Sequence, residues 1–182
     1  MPRVLKLLFV LTVLLAVAQA FWHHAHLPMR VASHFDAAGR ANDWMSRDAH
    51  LGFQAGLALF LGLLFGAIGA LPPRLPDSLI NLPHREYWLA PQRRAASLAW
   101  VGSMAHALGI VVVGFFIFVF QQVYVANVTG ALRLELLPLI IGQFVLVAGL
   151  ITVLLFRFRR PPSDISCCRS RSPSSGRHDW KV

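Results

Sequence analysis

Four long apolar runs, Val4–Phe21, Leu51–Leu71, Leu98–Phe120 and Leu137–Phe156, decide the solvent in which this chain folds. Each holds about 18 to 23 residues with almost no charge. A helix rises about 1.5 Å per residue and the hydrocarbon core of a bilayer is about 30 Å thick, so each run is long enough to cross it. The expected fold class is an all-α membrane protein, with four transmembrane helices and a small outer cap between the first and second. With 56% of its residues hydrophobic and only 14% charged, the chain is too apolar for an ordinary soluble domain. Residues 1–157 are expected to form the membrane domain. Residues 158–182, rich in Ser, Pro and Arg, cannot bury a core and are expected to be a disordered basic tail.

The net charge of +9 would suit nucleic acid, but the cations flank the spans and form no separate soluble face, so no nucleic-acid partner is expected. Their distribution orients the chain instead. Thirteen of the 17 Lys and Arg lie in the N-terminus, the loop at 72–97 and the tail; only Arg30, Arg40, Arg47 and Arg133 lie on the other side. Lys- and Arg-rich connections stay in the cytoplasm, so both termini are expected there. The first run ends in Ala18-Gln19-Ala20, which also suits signal-peptide cleavage. Its length and the interfacial Phe21-Trp22 favour a retained span. Cys167 and Cys168, adjacent in the expected cytoplasmic tail, read as incidental thiols.

The outer segment, 22–50, opens with His-His-Ala-His and continues through a short candidate strand at 31–35. Asp36 and Gly39 stand at the first and fourth positions of a type I turn, and Trp44 suits the membrane interface. His34 is expected to tie the cap together with a hydrogen bond, or to face a ligand. In the loop at 72–97, Asn81, Arg85, Tyr87, Trp88 and Pro91 stand out. Pro91 fits the first position of the third helix, with Tyr87 and Trp88 at headgroup level and Arg93 and Arg94 facing anionic lipid. The third connection is expected at 121–136.

Within the spans, Gly52-x-x-x-Gly56 and Gly62-x-x-x-Gly66 predict helix-packing faces and place the second span at the centre of the bundle. Three intramembrane polar residues draw notice: His106, Gln54 and Gln143. His106 is expected to pair with Ser103 or a backbone carbonyl, and Gln54 with Gln143. No Asp or Glu lies in any of the four runs to serve a proton relay. His23, His24 and His26 are weak candidates for metal, because His-His-x-His is not a specific ligand spacing and no Cys accompanies it. No metal, other cofactor or catalytic residue is expected, since nucleophile elbow, zinc-helix and phosphate-loop patterns are all missing from the sequence.

The run Leu-Pro-x-x-Val-Ala-Ser-His-Phe-Asp-x-x-Gly-x-x-x-x-Trp, from Leu27 to Trp44, resembles the signature of the domain of unknown function 1648 family. Pro28, His34, Phe35, Gly39 and Trp44 carry the likeness, over about residues 10–60. The stretch Asn81–Arg94 is similar to a cytoplasmic motif of one subset of these proteins. The resemblance implies an integral protein of the bacterial cytoplasmic (inner) membrane, related to the N-terminal part of SdpI-type immunity proteins. Those confer immunity to a secreted toxin and take part in signalling, but this chain is too short for their additional C-terminal helices. The expected function is a non-enzymatic membrane protein that senses or binds through the outer cap, with an unknown membrane or periplasmic protein as partner beside the lipid bilayer. An SdpI-like immunity or signalling component and a small metal or proton transporter are the alternatives.

Overall fold

The computed structural model describes residues 2–134 and 137–159. Helix α1 spans Pro2–His26, α2 Arg47–Ala70, α4 Pro91–Thr129 and α5 Leu137–Arg159. Each is long and apolar enough to cross a membrane, the makeup of a multi-pass membrane protein. Between α1 and α2 an antiparallel hairpin pairs β1 (Arg30–Phe35) with β2 (Ala41–Ser46). Two single turns of 3-10 helix and the short α3 (Arg85–Trp88) lead from α2 to α4. The ends of the bundle are called here the cap end and the loop end.

Helix α4 is the centre of the bundle, because it packs against α1, α2 and α5, whereas among the described spans α5 packs chiefly on α4. The expectation that α2 is central is therefore corrected, and the reason lies in its glycines. A Cβ at Gly52 or Gly56 would meet nothing, so that pair is not a packing face, whereas Gly62 and Gly66 face Val13 and Phe9 of α1. The close crossing lies further along. A Cβ added at Gly102 would stand 2.5 Å from the Gly69 carbonyl oxygen, and one at Gly109 2.5 Å from the Phe9 ring. Bare glycine at 102 lets α4 approach the α2 backbone, and at 109 it makes room for the Phe9 ring of α1. Ala16, Ala58, Leu61 and Val113 fill the centre, wrapped by Phe65, Phe116 and Ile117.

The helices outrun their apolar stretches. Helix α1 continues through His26, and α4 continues to Thr129, so residues 121–129 are helix and not connection. Gly130 in the left-handed conformation (φ 71°) closes α4. Pro91 stands at its N-terminus, where a missing N–H leaves no intrahelical bond unmade. Ser46 caps α2 by accepting a 3.1 Å hydrogen bond from the Ala49 N–H.

At the loop end, Trp88 is 4% exposed, so it is not an interface anchor. Its indole N–H donates to the Phe158 carbonyl oxygen at 3.2 Å, its ring meets Phe158 edge-on, and Arg157 lies 4.7 Å over it. Phe158, within α5, which runs to Arg159, is itself 2% exposed and also touches Trp100. Arg94 does not face lipid either. It is held by Asp77 at 2.9 Å and by the Pro73 and Leu75 carbonyls. The expected disorder of the tail, and Cys167 and Cys168 within it, lie outside the described residues from 160 onward.

Candidate functional site

The cap is built on a tight turn. Asp36 accepts the backbone N–H groups of Ala38 and Arg40 at 2.9 Å each, and its own carbonyl accepts from Gly39 at 2.8 Å. Gly39 has φ 75°, and a side chain there would collide with the Leu134 carbonyl. The hydrogen bonds, the Arg40 N–H foremost, hold the Asp36 carboxyl below its usual value. The strands carry two compensating irregularities, one on each side of His34↔Asp43. Val31 and Ala32, consecutive in the regular part of the pairing, are each 0% exposed, so β1 is covered on both faces there.

Asn127 of α4 docks the hairpin. Its Oδ1 accepts the Ala32 N–H at 2.7 Å and its Nδ2 donates to the Ala32 carbonyl at 3.0 Å, as a neighbouring strand would. Residues 132–134 pair with the turn through Ala41 N–H to the Leu132 carbonyl and Leu134 N–H to the Gly39 carbonyl. A groove of about 630 Å³ opens between the turn and the start of α5. Asp36 and Arg133 give it polar edges; Phe35, Leu134, Leu137 and Ile140 give it apolar walls.

Beneath the cap lies a buried polar ring. Gln54 Nε2 donates to Gln19 Oε1 at 3.3 Å, and Gln19 Nε2 donates to the Ile117 carbonyl at 2.9 Å and to Gln121 Oε1 at 3.2 Å. His23 closes the ring, with Nδ1 3.3 Å from Gln54 Oε1 and Nε2 3.2 Å from Gln121 Oε1. The Ile117 carbonyl is a fixed acceptor, so it fixes the direction in which Gln19, and through it Gln54, presents its amide. The imidazole stacks on Tyr124 with centroids 4.5 Å apart. One helical turn from Gln54, His50 is 3% exposed, with neither ring nitrogen partnered among the described residues. Its ring meets Phe120 edge-on at 5.8 Å.

The residues singled out in the sequence are scattered by this arrangement. His23, His24 and His26 share a helix end but take different partners: the polar ring, Asp48 at 2.7 Å, and the Trp22 carbonyl at 2.8 Å. They do not converge, and the described residues hold no group of three metal-ligating side chains. Gln54 pairs with Gln19 and His23 and not with Gln143, which lies half-buried on α5. Ser103 does not pair with His106; its hydroxyl donates to the Ala99 carbonyl. His34 does not tie the cap together. Its side chain is 66% exposed, beside Ser33 at 3.2 Å and Asp43 at 4.0 Å. Trp44 is part-exposed under Arg30, whose guanidinium lies 5.7 Å from the ring. Asn81 and Arg85 are exposed, and Tyr87 lies under Arg93 at 4.0 Å. Gln19, Gln121 and Tyr124 carry no local sign of the partners they meet across the bundle. Carrying the 3.6-residue period past Phe21 and Phe120 puts Gln19 and His23, one turn apart, on one face.

Residues 7–55 match the domain of unknown function DUF1648. The matched segment covers most of α1, the hairpin and the first turns of α2, so it contributes Gln19, His23, His50 and Gln54 to the polar ring and its border. Gln121, Tyr124 and Asn127 come from α4, outside the DUF1648 segment. No curated protein and no solved structure matches the chain.

Proposed function

We propose that this protein is a non-enzymatic sensing or binding protein of the bacterial cytoplasmic membrane, and that the groove at the cap takes its ligand. Both termini are assigned to the cytoplasm from the Lys and Arg asymmetry, which puts the cap on the periplasmic side. The groove carries the reading. Its volume is in the range of small-molecule sites, and its apolar walls between a carboxylate and a guanidinium suit an amphipathic ligand, such as a segment of a membrane or periplasmic protein. Asn127 links the cap to α4, which touches every other span, so a ligand at the cap acts on the central helix. The SdpI-like immunity or signalling role rests on the family likeness and would use the same groove. A proton-handling role has one observation in its favour, the buried and unpartnered His50.

The test is complementation of a deletion strain, read as its transcript profile. Arg133→Glu and Leu137→Asp, both in the groove, are expected to reproduce the deletion profile at normal protein level. Asn42→Ala, on the exposed face of β2, is expected to restore the wild-type profile. Full restoration by the two groove variants would remove the reading.

A further inference from the structure

At the loop end, the buried histidine of α4 faces a second site. His106 is 8% exposed as a residue, and what remains open of its ring faces a cleft. The imidazole rests on Gly69, where an added Cβ would lie 2.5 Å away, and against Phe9 at 5.4 Å. It borders a cleft of about 200 Å³ that is also lined by Arg3, Lys6, Gly69 and Ser103. Ser103 already donates its proton to the Ala99 carbonyl, and among the described residues no carboxylate lines the cleft. Two cations one turn apart on α1 therefore line the same cleft as an imidazole that can donate a hydrogen bond into it.

Cations that only orient a helix need nothing behind them. An imidazole enclosed by the bundle and opening only on this cleft takes its hydrogen bond from whatever occupies the cleft. The acceptor must be anionic to suit Arg3 and Lys6, and must carry several oxygens to meet three donors. We propose that this cleft binds a phosphate group, with Arg3 and Lys6 pairing its charge and His106 donating a hydrogen bond from its floor. The group belongs either to an anionic phospholipid headgroup, at whose level the N-terminus of α1 would lie, or to free phosphate.

The full chain, purified and delipidated in detergent, tests this. Native mass spectrometry would read retained phosphatidylglycerol against phosphatidylcholine, and thermal shift would read inorganic phosphate. Preferential retention of phosphatidylglycerol assigns the headgroup; stabilisation by phosphate without lipid preference assigns the free ion. In either case Arg3→Gln and Lys6→Gln should each weaken binding roughly fivefold. His106→Leu should weaken it too, and His106→Gln, which keeps a donor, should restore it. Wild-type protein supplies a readout free of folding effects: the bound species should protect His106 from diethyl pyrocarbonate. Binding of neither probe, equal binding by the Arg3→Gln/Lys6→Gln double variant, or unprotected His106 would each overturn the proposal.

Discussion

His23 near the cap and His106 near the loop are both buried between α1, α2 and α4, in surroundings that differ. His23 has an amide oxygen opposite each ring nitrogen and an aromatic ring stacked on its face. His106 has an aromatic ring, a glycine and an open cleft. The first arrangement gives the imidazole N–H an acceptor within the bundle and so helps to fasten three helices together. The second leaves a polar group facing outward and contributes little to the fold. Burial alone does not separate a structural histidine from a binding one; the partners do.

The largest effect expected from this contrast is at Gln54. Gln54→Leu leaves His23 Nδ1 and Gln19 Oε1 without partners and should destabilise the bundle by about 2–4 kcal/mol in chemical unfolding in detergent. His106→Leu should change the same measurement by less than about 1 kcal/mol. Equal losses would erase the distinction between the two ends. Next comes the helix crossing beside His106. Gly102→Ala should cost about 1–3 kcal/mol, since its Cβ meets the Gly69 carbonyl. Gly52→Ala, in open space near the cap, should stay within about 0.5 kcal/mol. Trp88→Phe should cost about 1 kcal/mol through loss of the indole bond to Phe158, with α5 loosened at its loop end, visible as faster amide exchange near 155–159.

The smallest effects belong to the cap surface. Asp36 is more acidic in the folded turn than its usual value near 3.8, so the unfolded chain binds its proton more readily. Its contribution is complete above that value and is lost as pH falls through the lower, folded value. Amide exchange at Ala38 and Arg40 should rise over that acidic window, and Asp36→Asn should remove the pH dependence. His34→Ala should leave melting and abundance unchanged, because its side chain is exposed; a clear drop in either would return His34 to a structural role.

The spans were legible from length and hydropathy, and the turn at Asp36–Gly39 and the start of α4 at Pro91 from local chemistry. Each is a property of a few adjacent residues. Helix ends were less legible, because His23–His26 and Gln121–Thr129 are polar and look like loop, although their helices continue to bury one face. Trp88 reads as an interface residue by type, yet it is enclosed because α5 returns Phe158 to it from seventy positions away.

The sequence by itself determined the class of this protein: apolar runs of bilayer length must be helices, since only helices satisfy their own backbone there. It also placed the DUF1648 segment and its turn. Only the tertiary structure decided which span is central, which glycines touch, and which glutamine meets which histidine. Those choices depend on how the helices rotate about their axes against one another. A pair such as Gln19 and Gln121, 102 residues apart, leaves no local trace of it.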